Sequence, residues 1–390
     1  MVIGDFFDEF HSGKSIESDK ISSTGNYPVF GGNGIRGYTD TFNQDGDYVI
    51  IGRQGAYCGN VHYYSGKSYL TEHAIVGKTK KEYNHVSVAY LLSLLKLYKF
   101  QGQSAQPGLS VETLSKITVK HPQYNFYGMG QILSSLDAKI ALNRRMNEEL
   151  EGMAKMLYDY WFVQFDFPNE EGKPYKSSGG AMEYNAVLKR EIPAGWKVKS
   201  ISDICDVVNG ATPSTRDALN FDGNVVWITP KDLSVQKEKF IFKGERNITQ
   251  QGYDSCNTTI VPQGAILMSS RAPIGLMSIA GNVLCTNQGF KTLVPKNMND
   301  RYYMWYYLQM MMPQIKSLGG GTTFKEVSKD SLLPFPIVNI DCPRVKKNWI
   351  ETVSPIFKKQ SLIVQEVAKL TALRDKLLPL LMNGQVRVAD

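Results

Sequence analysis

Residues 131–163, QILSSLDAKIALNRRMNEELEGMAKMLYDYWFV, constrain the fold of this chain more than any other stretch. They hold no proline and are rich in Ala, Leu, Met, Glu and Lys, which predicts one long helix. Ile132, Leu136, Lys139, Asn143, Met146, Leu150, Met153, Leu157 and Tyr160 recur every 3.5 residues, a seam with two polar places. A second stretch of this kind, from about Thr352 to Met382, carries Ile356, Gln360, Ile363, Val367, Leu370, Arg374, Leu377 and Leu381, with Pro379 in its last turn. Long helices with one apolar stripe must bury it. The expectation is an antiparallel pair packed through Ile132, Leu136, Met146, Leu150, Met153 and Leu157 of the first and Ile363, Val367, Leu370, Leu377 and Leu381 of the second. The competing arrangement lays each stripe on its own globular segment.

With 390 residues, 42% hydrophobic and 21% charged, the composition is that of a soluble chain large enough for two domains. No run of eighteen apolar residues occurs, and MVIGDFFDEFHSGKS lacks the basic start and apolar core of a signal peptide, so a cytoplasmic protein without a membrane partner is expected. Cys58, Cys205, Cys256, Cys285 and Cys342 form no CxxC pair, and the five histidines show no ligand spacing; neither a disulfide framework nor a metal site is expected. A net charge of +7 hints at an anionic partner only if the basic groups converge.

The two globular segments repeat one order of elements. In the first, GGNGIRGYTD leads to the strand-like Asp47–Gly52, then Arg53, then the helix-like Val86–Leu97, then Gln103-Ser104-Ala-Gln106 and the apolar Ile117-Thr-Val. In the second, Ala265-Ile-Leu-Met leads to Ser269-Ser270-Arg271, then Tyr302–Met311 as helix, then Gly319-Gly-Gly-Thr322-Thr323-Phe and Phe335-Pro-Ile-Val. Arg271 minus Arg53 is 218, Phe335 minus Ile117 is 218, and Leu370 minus Leu150 is 220. An internal duplication follows, of globular domain plus long helix. The expected boundaries are 1–128, a long helix in 129–166, a linker in 167–194, then 195–345 and a second long helix in 346–390. Paired antiparallel, such units would have approximate two-fold symmetry suited to a duplex.

Three enzyme signatures fail. Phe30-Gly-Gly-Asn-Gly34 fits the FxGxG of adenosylmethionine loops, but the Asn/Asp-Pro-Pro-aromatic companion is absent, and the glycines read as a turn needing positive φ. Gly13-Lys14-Ser15 and Gly66-Lys67-Ser68 lack the first glycine of a phosphate loop, where Asp8 and Val61 stand. Asp166 with Glu171-Gly-Lys173 has nuclease residue types but sits in linker sequence and reads as solvated charge. No cofactor, metal or catalytic residue is expected.

What remains is polar, planar and basic side chains on glycine-rich loops. The first half offers Asn33, Arg36, Tyr38, Arg53, Gln54, Tyr57, Tyr63, Tyr64, Lys67, Gln103, Ser104 and Gln106. The second offers Thr212, Ser214, Thr215, Arg216, Lys231, Asp232, Ser269, Ser270, Arg271, Asn287, Gln288, Thr322, Thr323 and Lys325. Arg can grip guanine with two donors, Asn and Gln can do so for adenine, and Ser, Thr and Lys hold phosphates. Such residues populate any surface loop; here they recur at equivalent places in both halves.

At these residues the chain resembles the specificity subunit of type I restriction-modification systems over nearly its whole length. Tyr27-Pro-Val-Phe-Gly-Gly-Asn-Gly-Ile-Arg-Gly-Tyr38, Tyr48-Val-Ile-Ile-Gly-Arg-Gln-Gly55, Trp227-Ile-Thr-Pro-Lys-Asp-Leu233 and Ser269-Ser-Arg-Ala-Pro-Ile-Gly275 look like its target-recognition domains. Trp161-Phe-Val-Gln-Phe-Asp-Phe-Pro168 and Leu377-Leu-Pro-Leu-Leu-Met-Asn-Gly384 look like its conserved regions. The resemblance implies two α/β (α+β) recognition domains held apart by an antiparallel coiled coil, a pseudo-two-fold repeat in which each domain reads half of a bipartite, asymmetric site in double-stranded DNA. It further implies two methylation subunits docked on the helices and restriction subunits in the larger complex, which carry the adenosylmethionine, ATP and nuclease chemistry. About thirty helical residues at 1.5 Å each span roughly 45 Å, a little over one DNA turn. The rival readings are a solitary adenine methyltransferase using Phe30–Gly34 and a scaffold or inhibitor that binds proteins.

Overall fold

The structure, a computed structural model, describes residues 1–101, 108–120, 125–271, 273–320 and 325–388. Its chain divides into one unit of Met1–Leu142 with Ala368–Asp390 and another of Asn143–Val367.

In the first unit the strands are β1 (Phe7–Ser12), β2 (Tyr27–Gly31), β3 (Gly34–Thr39), β4 (Asp47–Gly52), β5 (Val61–Ser65), β6 (Tyr69–Leu70) and β7 (Ala74–Thr79). An antiparallel sheet runs β1-β7-β4-β5, and a smaller one runs β3-β2-β6. The unbroken apolar run in β4 follows from cover on both faces. Val49 and Ile51 pack with Phe6, Leu92, Met129 and Leu133, whereas Tyr48 and Ile50 pack with Phe30 and Leu70 of the smaller sheet. The helix His85–Leu94 starts where the Asn84 side chain accepts from the Val86 and Ser87 amides.

The second unit adds β8 (Met182–Asn185), β9 (Arg190–Pro193), β10 (Lys197–Ser200), β11 (Cys205–Asn209), β12 (Phe221–Val225), β13 (Trp227–Ile228), β14 (Phe240–Ile241), β15 (Ile266–Ser269), β16 (Met277–Ala280), β17 (Cys285–Thr286), β18 (Phe290–Pro295) and β19 (Pro336–Asn339). Its main sheet, β11-β18-β15-β16-β14, reproduces β1-β7-β4-β5 strand for strand and adds one edge. The parallel pair also recurs: Val29 and Phe30 face Tyr69 and Leu70, and Trp227 and Ile228 face Cys285 and Thr286, 216 residues on from Tyr69 and Leu70. The duplication is therefore one of hydrogen-bonded topology. Where the first unit turns back as β3, the second enters the helix Pro230–Gln236 instead, capped by Thr229 and Asp232.

The first long helix spans Phe126–Tyr158 and ends in a π-helical turn, Asp159–Val163; it starts at Phe126 rather than Gln131. The second spans Pro343–Met382, starting nine residues before the expected Thr352 and passing through Pro355. Within each unit the pairing is antiparallel: Asp137 meets Arg374 in one, and Glu151 meets Gln360 while the Tyr158 and Trp349 rings meet in the other.

The seam of the first helix is turned from the expected one. Met129, Leu133, Ile140, Asn143, Ala154 and Tyr158 are buried, whereas Ile132, Met153 and Tyr160 are exposed, Met153 by 56%. Leu136, Met146, Leu150 and Leu157 are only half-buried, at the rim of the packed face. The cause is that this helix is covered by a globular core as well as by its partner helix, so its buried face centres between the two. On the second helix Ile363, Val367 and Leu381 are buried and Leu370 and Leu377 half-buried, Leu377 and Leu381 packing with the first unit's core. Trp349, Val353 and Phe357 extend the buried face toward its N-terminus.

Residues 167–194, expected as linker, carry the β8–β9 hairpin. Phe167 and Ile192 pack into the second unit's core, with Phe167 stacked on Trp196 at 5.2 Å. Asp166 is not solvated: it is buried, and it accepts from the Ser177 amide and hydroxyl.

Polar places on the helices tie each unit together around one carboxylate. Asp137 accepts from Tyr63 Oη at 2.5 Å, Tyr90 Oη at 2.6 Å and Arg374 Nη1 at 2.9 Å. Glu151 accepts from Lys239 Nζ at 2.8 Å, Gln360 Nε2 at 2.9 Å and Tyr306 Oη at 3.2 Å. Tyr90 and Tyr306 are 216 residues apart and hold equivalent places, so the repeat extends to the side chain that bonds each carboxylate.

Candidate nucleic-acid interface

In the second unit, loops gather at the end of β15 and the start of β18. Gly210 permits the closest approach: a Cβ there would lie 2.2 Å from the carbonyl oxygens of both Thr286 and Asn287. The Ala211 amide donates to Thr286 O at 3.0 Å, and Trp227 Nε1 donates to Ala211 O at 3.1 Å. Thr212 then donates its hydroxyl to Gln288 Oε1. The Ser270 amide donates to Gly289 O at 2.8 Å, and the Val327 amide to Ser270 O at 2.9 Å. Arg271 leaves this pinned backbone with a side chain 46% exposed, its Nη2 3.4 Å from Gln288 O and 3.5 Å from Glu326 Oε2.

The first unit repeats the construction. A Cβ on Gly13 would lie 2.3 Å from Thr71 O and 2.5 Å from Leu70 O, the places equivalent to Asn287 and Thr286. The Arg53 amide donates to His73 O at 2.9 Å, and the Leu109 amide to Arg53 O at 2.9 Å. Arg53 Nη1 sits 3.4 Å from Glu72 O, and Gln54 Oε1 sits 3.3 Å from His73 Nδ1. Tyr57 is 50% exposed nearby.

Several other expected contacts are also on the surface. Asn33 and Arg36 are exposed on the β2–β3 hairpin beside half-buried Tyr38, and Lys67 is exposed with its ammonium 4.6 Å from the Phe42 ring. Thr215, Arg216, Gln288 and Lys325 are exposed, and Asn287 is half-buried with Oδ1 turned back to accept from the Gly289 amide. Lys231 is exposed but paired with Glu245 at 2.6 Å.

Others do not fit. Ser269 and Ser270 are fully buried: Ser269 Oγ donates to Pro273 O and accepts from the Leu276 amide, and Ser270 Oγ donates to Gly289 O. They shape the loop and offer nothing to a ligand. Tyr63 spends its hydroxyl on Asp137, Tyr64 packs edge-on to Phe30, and Asp232 is buried as a helix cap. Gln103, Ser104, Gln106, Thr322 and Thr323 lie outside the described residues.

Sequence reasoning missed Glu72, His73, Lys291 and Glu326. His73 and Glu72 could have been found from the turn after β6; Glu326 could not, because Gly108 stands at its place in the first half. The FxGxG segment is the β2–β3 turn, with Phe30 buried and Gly34 at φ +88. Burial pushes His62, beside that turn, below the ordinary histidine range. Among the described residues no group of three or more His, Cys, Asp or Glu could hold a metal, and no helix is long and apolar enough to cross a membrane.

Residues 1–152 and 193–341 match the family described as type I restriction modification DNA specificity domain. The type I restriction enzyme MjaIX specificity subunit of Methanocaldococcus jannaschii is 39% identical over 191 residues, 46% of this chain and 43% of that protein. This chain thus spans less than half the length of that relative. The HindI specificity subunit of Haemophilus influenzae is 24% identical over 333 residues, 72% of this chain and 71% of its own. Among solved structures, a type I restriction-modification S subunit from M. genitalium superposes with a TM-score of 0.67 at 15% identity, covering 97% of this chain and 94% of that one. At that identity the likeness is one of fold.

Proposed function

The chain belongs to the type I restriction-modification DNA specificity family, and from that premise we propose that it is the sequence-reading subunit of such a complex in the cytoplasm and has no chemistry of its own. Each unit reads one half of a bipartite, asymmetric duplex site. Two methylation subunits dock on the long helices, and restriction subunits join the larger assembly. The observation that carries this reading is the duplicated loop end: the hydrogen bonds that pin Arg53 recur at Ser270, so Arg271 stands one residue further on, at the place of Gln54, yet both guanidiniums reach equivalent carbonyl oxygens, those of Glu72 and Gln288. A pinned backbone bearing a guanidinium that is exposed in Arg271 and half-buried in Arg53 suits two-donor contact with guanine, and the exposed Lys67, Arg216 and Lys325 suit phosphate contact.

Selection of bound duplexes from a random pool, with the chain alone and with its methylation partner, tests the proposal. A split consensus with an unread middle is expected. A single short motif would leave one unit without a reading role, and methyl transfer by the pure chain would overturn the non-catalytic reading in favour of a solitary methyltransferase.

A further inference from the structure

Glu326 serves two cations of unlike standing. Lys291, on β18, is 7% exposed, with Nζ 3.1 Å from Glu326 Oε1. A buried ammonium needs that charge, because an unpaired one is strongly disfavoured. Arg271 approaches the other oxygen at 3.5 Å, an ion-pair distance longer than an ordinary N–H···O hydrogen bond. Of the five guanidinium donors, only those on Nη2 are engaged among the described residues. The carboxylate is itself anchored: Ser270 Oγ lies 3.5 Å from Oε1, and the Glu326 and Gly320 backbones exchange hydrogen bonds of 3.0 and 3.1 Å.

Among its described residues the first unit shows no such device. Subtracting 218 from 326 gives Gly108, which makes the corresponding backbone bridge, to Gln54, but has no side chain. Gln54, which stands at the place of Arg271, turns its Oε1 to His73 Nδ1, and Arg53 approaches the neutral Glu72 carbonyl oxygen.

We propose that Glu326 is a positioning residue for DNA recognition: it holds Arg271 in the pose from which it reads a base. Its negative charge also lowers the affinity of that loop for phosphate in general. The inference rests on the reading of the chain as a DNA specificity subunit. Holding the guanidinium in place before binding reduces the ordering cost of the specific contact, and the nearby carboxylate disfavours contacts that only neutralise charge.

The test uses the full chain with its methylation partner, on duplexes varied one base at a time around the selected consensus and at several salt concentrations. Glu326→Gln should lower base discrimination about tenfold at the half-site read by the second unit and leave the other half-site unchanged. Affinity for unrelated duplex should rise, and the slope of log affinity against log salt should steepen by about one. Glu326→Asp should restore part of the discrimination, and Glu326→Gln should change nothing further at those bases in an Arg271→Ala background. If Glu326→Gln weakens the fold, the Lys291→Met, Glu326→Gln double variant removes the buried pair together and must show the same one-sided loss. Equal loss at both half-sites would overturn the proposal. Wild-type base preference left intact by Glu326→Gln would overturn it alone; a wild-type complex with no base preference would overturn the DNA-reading proposal as well.

Discussion

Lys239 shows how a single residue was legible in type but not in role. In the sequence it is one cation among many. In the structure it is 8% exposed, within hydrogen-bonding distance of Glu151, Tyr306 and Gln360, with its ammonium 3.4 Å from the centre of the Phe357 ring. Burial pushes its pKa down to about 8, opposed by the Glu151 charge. Burial also acts to raise Glu151, but attraction to Lys239 and the hydrogen bonds it accepts leave it below the ordinary carboxylate value. The unfolded chain holds the Lys239 proton up to about pH 10.5, so between about pH 8 and that value the unfolded state binds more protons and stability rises with pH. Urea unfolding at about pH 7.5 and about pH 9.5 should show the wild type gaining on the order of 1–2 kcal/mol relative to a Lys239→Met, Glu151→Gln double variant. Parallel behaviour of the two proteins would mean that Lys239 keeps an ordinary pKa.

At the scale of elements, strands were easier to read than helix faces. β4 matches its expected span of Asp47–Gly52, because an apolar run closed by glycine has few alternatives. Both helices follow from the sequence, but the face of the first does not, because a 3.5-residue pattern drawn through Met153 takes no account of Ala154 and Tyr158 packing into a globular core. Two of the polar interruptions that make the seams look imperfect are where the helices join: buried Gln360 bonds Glu151, and Arg374 bonds Asp137. Buried polar pairs of this kind fix register, since any slip leaves them without partners. Asp137→Ala would leave Arg374, Tyr63 and Tyr90 each short of an acceptor, and should lower stability by about 2–4 kcal/mol in urea unfolding. A loss below about 0.5 kcal/mol would place this carboxylate among surface ion pairs of little consequence.

For the molecule as a whole, the repeat makes a prediction that neither half makes alone. Arg53 and Arg271 lie in separate units and share no partner among the described contacts, so their replacements should act independently. Arg53→Ala should relax one half-site and Arg271→Ala the other, each by about 1–3 kcal/mol of base discrimination, and the double variant should lose the sum to within about 0.5 kcal/mol. Binding titrations on duplexes altered in one half at a time would measure this; uniform weakening across all sequences would instead assign the arginines to phosphate. The sequence by itself determined the duplication, the two long helices and the loops that bear arginine, because periodicity, chain punctuation and spacing are local properties that survive in the order of residues. Only the tertiary structure decided that Ser269 and Ser270 are buried scaffolding, that Phe167 and Ile192 of the expected linker pack into a core, and that Glu326 stands beside Arg271 with no counterpart among the described residues of the first unit. Burial and pairing depend on which distant segments close over a residue, and that is settled by packing.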